Sequence, residues 1–170
     1  RKGVVLALGD SITNGYCVPA GAPYPARVAA LRGQTVINEG VCAQTAEEGS
    51  ARVGNLLKKH KPATLLVLYG ANDIIQGDDP ATTLASLRNI IAAAKASKTR
   101  VLLANLLPMF YDHAPYAPGV AALNPQINAL AKAEGVRLIN LAGEFGQRME
   151  LLQEDGLHPT SQGTQIIAAA

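Results

Sequence analysis

The sequence predicts a three-layer α/β/α sandwich built on a parallel sheet, and three features predict it. Five short runs are apolar along their whole length rather than at alternate positions, so both faces of each strand must be covered. Segments with helical spacing separate these runs and supply the cover. Polar residues gather directly after several runs, where a parallel sheet presents its carboxyl edge and its ligands.

The first run, residues 4–9, ends in Gly9-Asp10-Ser11. A helical pattern over 24–31 leads to the second run at 35–38, and another over 46–59 leads to the third at 64–69. The clearest helix follows Asp79-Pro80: Leu84, Leu87, Ile90, Ile91 and Ala94 mark one face, Asp79 suits the cap and Pro80 the first turn. The fourth run covers 100–106. An irregular connection, 107–119, follows with Pro108, Pro115 and Pro118, then a helical pattern over 121–133, the fifth run at 136–141 and a last helix over 162–170. Right-handed crossovers turn this alternation into a flavodoxin-like, doubly wound sheet of order 2-1-3-4-5, within one domain spanning 1–170.

Composition removes several function classes. The chain carries 15 Lys+Arg against 13 Asp+Glu, a net charge of +2, and only 16% of its residues are charged, without basic stretches interleaved with aromatics. Nucleic acid is therefore not an expected partner. Apolar stretches such as 65–69 fall far short of the roughly 20 residues that cross a bilayer. Cys17 and Cys42 have no Cys-x-x-Cys or Cys/His grouping, and His60, His113 and His158 have no partner at metal-ligand spacing, so no metal is expected. A phosphate cradle of the Gly-x-Gly-x-x-Gly or Gly-Lys-Ser/Thr kind is missing too, which weighs against a ligand-binding module without catalysis. The opening Arg1, running within three residues into apolar chain, reads as a mature or trimmed terminus and favours a periplasmic or secreted location over a cytoplasmic one.

What remains is acyl chemistry. Ser11, Asn72 after the third run, and Asp155-Gly156-Leu157-His158 near the end bring a hydroxyl, an amide, an imidazole and a carboxylate to one sheet edge. A serine hydroxyl becomes a nucleophile when a neutral imidazole takes its proton, and the imidazole needs a partner that fixes its tautomer. Asp155 and His158 supply that pair within one turn. The oxyanion that forms needs donors set in advance, for which the Asn72 amide and backbone N–H groups qualify. No cofactor is required.

At these residues the sequence resembles the GDSL/SGNH hydrolase superfamily. Gly9-Asp10-Ser11-Ile12 is similar to its first block, Gly70-Ala71-Asn72-Asp73 to its third and Asp155-Gly156-Leu157-His158-Pro159 to its last. The resemblance implies that Ser11 is the nucleophile and one oxyanion donor, Asn72 the side-chain donor, and Asp155 and His158 the rest of the triad. The second block departs from the pattern, since Asn38-Glu39-Gly40-Val41-Cys42-Ala43-Gln44-Thr45 has Ala43 where the family commonly has an oxyanion glycine. Ala43 N–H is the expected donor, with Gly40 as the alternative; a positive φ at Ala43 would cost about 1 kcal/mol. Within the superfamily the chain resembles small bacterial thioesterase/lysophospholipase/arylesterase proteins, through 56–77, the length and the late Asp-Gly-x-His-Pro. This implies a broad esterase acting on small acyl esters or thioesters. A carbohydrate acetylesterase on the same fold is the alternative, and an acyl chain-length profile separates the two.

The remaining polar and aromatic residues have competing readings. Asp10 and Asp73 read as structural hydrogen-bonding groups, His60 as a solvated residue at a helix end, and His113 as a surface residue of the 107–119 loop. Met109, Phe110, Tyr111 and Tyr116 read either as core residues that anchor the loop or, favoured by their concentration in a chain with only 4% aromatics, as the wall of an apolar acyl site, with Tyr16 and the segment to Pro25 opposite. Cys17 and Cys42 read either as a disulfide across the rim or as two buried thiols.

Overall fold

The computed structural model describes residues 3–170. Its sheet has five parallel strands in the order β2-β1-β3-β4-β5: β1 Val5–Gly9, β2 Val36–Gly40, β3 Thr64–Leu68, β4 Arg100–Ala104 and β5 Arg137–Ile139. β1 and most of β3 are buried, as their uninterrupted apolar sequence requires. Helices α3 (Ala46–His60), α5 (Pro80–Ala96) and α6 (Ala117–Glu134) pack side by side in one layer, while α2 (Tyr24–Arg32) packs on α8 (Ser161–Ala169) in the other. Leu6, Leu8, Leu65, Leu87, Ile90 and Ile91 lie fully out of solvent at the centre of the core.

Capping residues fix where the helices start. Thr45 and Glu48 form a reciprocal capping box on α3, Asp79 accepts the Ala81 N–H at 3.0 Å on α5, and Thr160 accepts the Gly163 N–H at 3.1 Å on α8. These caps aim the helix N-termini toward the carboxyl edge of the sheet, where the polar residues were expected.

Several boundaries differ from the sequence reading. β2 runs on to Gly40, and β4 stops at Ala104 because the Asn124 side chain from α6 satisfies both the N–H (2.8 Å) and the C=O (3.0 Å) of Leu106. Three short helices were not expected: α1 (Ser11–Asn14), α4 (Ala71–Gln76) and α7 (Leu141–Phe145). The 107–119 connection is more regular than its prolines suggest. A 3₁₀ turn spans Tyr111–Tyr116 and α6 already begins at Ala117, with Pro118 in the first turn, where its missing N–H costs nothing. His60 is not solvated; its side chain is largely covered and its Nε2 lies 3.3 Å from the Glu39 carboxylate.

Candidate active site

The carboxyl end of β1 positions Ser11. Gly9 must be glycine, since a Cβ there would sit 2.2 Å from the Thr13 hydroxyl and 2.8 Å from the Leu68 carbonyl. Asp10 then caps α1 by accepting the Ile12 N–H at 2.9 Å, and Ser11 opens the helix. Gly15, at φ +100°, ends that helix after one turn, its N–H returning to the Ser11 carbonyl at 2.9 Å. β2 clamps the same turn from the side: Asn38 Nδ2 donates to the Thr13 carbonyl at 2.9 Å and Asn14 Nδ2 to the Gly40 carbonyl at 3.1 Å. A Cβ on Gly40 would come within 2.2 Å of Asn14 N, so this close approach demands glycine. The Gly40 N–H donates to Asn38 Oδ1 at 2.9 Å.

The loop before α8 brings the imidazole to the serine across 147 positions of sequence: Ser11 Oγ lies 2.8 Å from His158 Nε2. Asp155 holds the other side of the ring. Its Oδ1 accepts the backbone N–H groups of Leu157 (2.9 Å) and His158 (3.0 Å), and its Oδ2 accepts His158 Nδ1–H. That bond fixes the tautomer, leaving Nε2 as the acceptor for the serine proton. Burial pushes the Asp155 carboxyl up, but the bonds from the His158 side chain and the two backbone N–H groups outweigh it and hold it below its ordinary value. Gln153 ties the loop to the α1 side by donating to the Tyr16 carbonyl at 3.0 Å and the Pro159 carbonyl at 2.9 Å.

Two further expected donors, Ala43 and Asn72, lie on the segments that contact the Gly9-Asp10 turn before Ser11. Ala43 occupies the turn Val41–Gln44, closed by Gln44 N–H to the Val41 carbonyl at 3.2 Å, and adopts φ +64°. This is the conformation in which alanine carries a cost of about 1 kcal/mol that glycine does not. Among the described residues Ala43 N–H has no protein acceptor. Asn72, in α4, donates Nδ2 to the Gln44 carbonyl at 3.1 Å and to Asp10 Oδ2 at 3.4 Å, which places its amide beside the nucleophile turn. Burial, opposed by backbone hydrogen bonds and aided by Asp73, pushes the Asp10 carboxyl up to about 7. Asp73 is structural as expected: it accepts from Ala46 N–H at 3.1 Å and Thr83 hydroxyl at 2.8 Å.

The aromatic residues divide. Tyr16 is half-exposed and lies against the His158 ring, with centroids 4.4 Å apart. Tyr111 is half-exposed too, whereas Phe110 and Tyr116 rest partly on the core. Met109 does not wall an open site: it is buried in the core and, with Leu106, Pro108 and Val120, borders a cavity of about 180 Å³ beneath the loop. Its apolar side chain anchors the loop, an outcome that the proline-rich sequence gave no means of separating from a groove wall. The loop in turn braces the Asp155–His158 segment. Phe110 N–H donates to the Gly156 carbonyl at 2.9 Å, and His113 Nδ1 lies 2.6 Å from the Asp155 carbonyl, so His113 is a fastening residue rather than a free surface histidine. The bracing roles of Asn38, Gln153 and His113 are not readable from sequence, because each acts through backbone atoms of another segment. Cys17 and Cys42 are exposed, unbridged thiols, neither buried nor joined. Among the described residues no group of His, Cys, Asp or Glu is arranged to hold a metal, and no helix is long and apolar enough to cross a membrane.

Comparison with known proteins shows the family. The GDSL-like lipase/acylhydrolase family matches residues 7–166. The chain belongs to this family. It is 34% identical over 168 residues to the thioesterase 1/protease 1/lysophospholipase L1 of Escherichia coli (strain K12), covering 96% of this chain and 79% of that protein. It is 31% identical over 180 residues to an arylesterase of Vibrio mimicus, covering 96% and 84%. The crystal structure of TesA superimposes with a TM-score of 0.84 at 26% identity, covering 98% of this chain and 94% of that one. As a member of the GDSL family the chain is a carboxylic ester hydrolase.

Proposed function

We propose that Ser11 attacks the carbonyl carbon of an acyl ester or thioester and carries the acyl group until water removes it. The 2.8 Å contact between Ser11 Oγ and His158 Nε2 carries this reading. His158 takes the serine proton as Ser11 adds to the carbonyl, then delivers it to the departing alcohol or thiol. Asp155 stabilises the imidazolium and keeps its ring aimed. In the second half-reaction His158 activates water against the acyl-enzyme by the same path. The N–H groups of Ser11 and Ala43 and the Asn72 amide stabilise the oxyanion, each donor contributing roughly 3 to 4 kcal/mol to the barrier difference.

The substrate is a small acyl ester or thioester whose acyl group lies along the exposed faces of Tyr16 and Tyr111. The names of the relatives, thioesterase, lysophospholipase and arylesterase, support a broad acyl range. A panel of p-nitrophenyl esters and acyl-thioesters of graded length tests it: turnover across acetyl to medium chains is expected. Activity confined to acetyl groups, with sugar acetates preferred, overturns it.

A further inference from the structure

Behind the Ala43 turn lies a group of covered polar side chains for which ester cleavage itself has no use. Gln44, buried, stands at its centre. Its side-chain oxygen accepts from the Tyr69 hydroxyl at 2.5 Å and from Arg52 Nε at 2.9 Å. Its backbone carbonyl accepts from Asn72 Nδ2 at 3.1 Å, and its own N–H closes the turn that carries Ala43. Arg52, from α3, also reaches β2, where it bonds the Glu39 carboxylate at 3.2 Å and the Glu39 carbonyl. Tyr69 follows β3 with none of its surface exposed, and its ring fills the space where a Cβ on Gly49 would come within 2.4 Å. Arg52 of α3 and Tyr69, the residue after β3, thus converge on one amide side chain, while Asn72 of α4 holds the same residue by its backbone carbonyl.

A turn holding alanine at φ +64° gains from such an anchor, because the residue gains by leaving that conformation and, of the backbone bonds described at the turn, one closes it at 3.2 Å and one ties Val41 N–H to the Gly9 carbonyl at 3.0 Å. Burial pushes the Tyr69 phenol up to about 12, so its hydroxyl stays a donor wherever the neutral imidazole works.

We propose that Gln44, pinned by Tyr69 and Arg52, is the positioning residue of the oxyanion hole, holding Ala43 N–H and the Asn72 amide in place beside Ser11. This rests on the oxyanion reading above. An error there acts on the transition state, where charge develops, and leaves ground-state binding alone.

Saturation kinetics on a p-nitrophenyl ester test it, using Tyr69→Phe and Gln44→Ala in the full chain. A misplacement of about 1 Å costs roughly a hundredfold in rate, so Gln44→Ala is expected to lower kcat by about that factor and Tyr69→Phe by about tenfold. KM and the pH-rate profile, which His158 sets, stay as in the parent. In an Ala43→Gly background the loss caused by Tyr69→Phe shrinks to about twofold, because glycine has no drive to leave the left-handed region. Should Gln44→Ala fail to fold, the Tyr69→Phe pair of measurements decides alone. Folded variants with parental kcat, or an equal loss in both backgrounds, overturn the proposal. Asn72→Ala separates the two levels: an unchanged kcat there defeats the oxyanion reading, whereas a slowed Asn72→Ala beside unaffected Tyr69→Phe defeats only the role of Gln44.

Discussion

The two halves of the site are built differently. The Ser11–His158–Asp155 arm consists of residues in conformations that suit them, with Asp10 capping α1 and glycines at the left-handed positions 15 and 156. The oxyanion arm places an alanine at φ +64° and depends on a polar network to keep it there. Both arms lean on distant segments, the first through Asn38, Gln153 and His113, but of the triad and oxyanion residues only Ala43, in the proposed oxyanion arm, is a non-glycine held in the left-handed region. Changes to the first arm should abolish chemistry; changes to the second should tune it.

The largest expected effect is that of Ser11→Ala, which should cost 10⁴-fold or more in kcat toward short p-nitrophenyl esters while circular dichroism shows a folded protein. Asn72→Ala should cost roughly 10²- to 10³-fold in kcat, as removal of one oxyanion donor does, with little change in Tm. Gly156→Ala breaks the first arm through the backbone: its Cβ would fall 1.7 Å from the Phe110 carbonyl at a φ of +68°. It should therefore lower Tm by several degrees and reduce kcat as the Asp155–His158 loop shifts. Ala43→Gly sharpens the contrast in the other direction, with a stability gain of up to about 1 kcal/mol, offset in part by the greater freedom of glycine in the unfolded chain.

A separate effect, on stability rather than on rate, concerns pH. Asp10 has its carboxyl raised to about 7 in the folded protein against an ordinary value of 3.8, so the folded state binds the extra proton between those limits. Stability from this residue is complete below pH 4 and declines as pH rises through 7. Asp10→Asn keeps an oxygen for the Ile12 N–H but loses the acceptor for Asn72 Nδ2, a cost that does not vary with pH; it should flatten the decline, so that its Tm relative to the parent is more favourable above pH 7 than near pH 4. An equal Tm difference at both ends would contradict the assignment.

Much of this architecture was legible in the sequence for identifiable reasons. Buried parallel strands such as β1 and β3 are uniformly apolar, and Asp79 and Pro80 mark the start of α5 by capping chemistry. Helices α1, α4 and α7 were not legible, because four to six residues give no helical period to read. Ser11, Asn72, Asp155 and His158 stood out because each sits in a short block of fixed chemistry. Their supports did not: Asn38, Gln153 and His113 contact main-chain atoms of distant segments, and nothing in residue type reports such a bond. The conformation of Ala43 lay between these cases. Its position in the second block suggested the role, but only the backbone reveals that an alanine there is held against its preference.

The proposed chemistry requires that one hydroxyl in this chain, that of Ser11, be activated by His158. Incubation with a p-nitrophenyl alkylphosphonate, followed by peptide mass spectrometry, tests it most directly: a single adduct on Ser11 is expected, forming far more slowly in His158→Ala. Continued ester turnover with Ser11 unmodified, or the adduct on another residue, would contradict it.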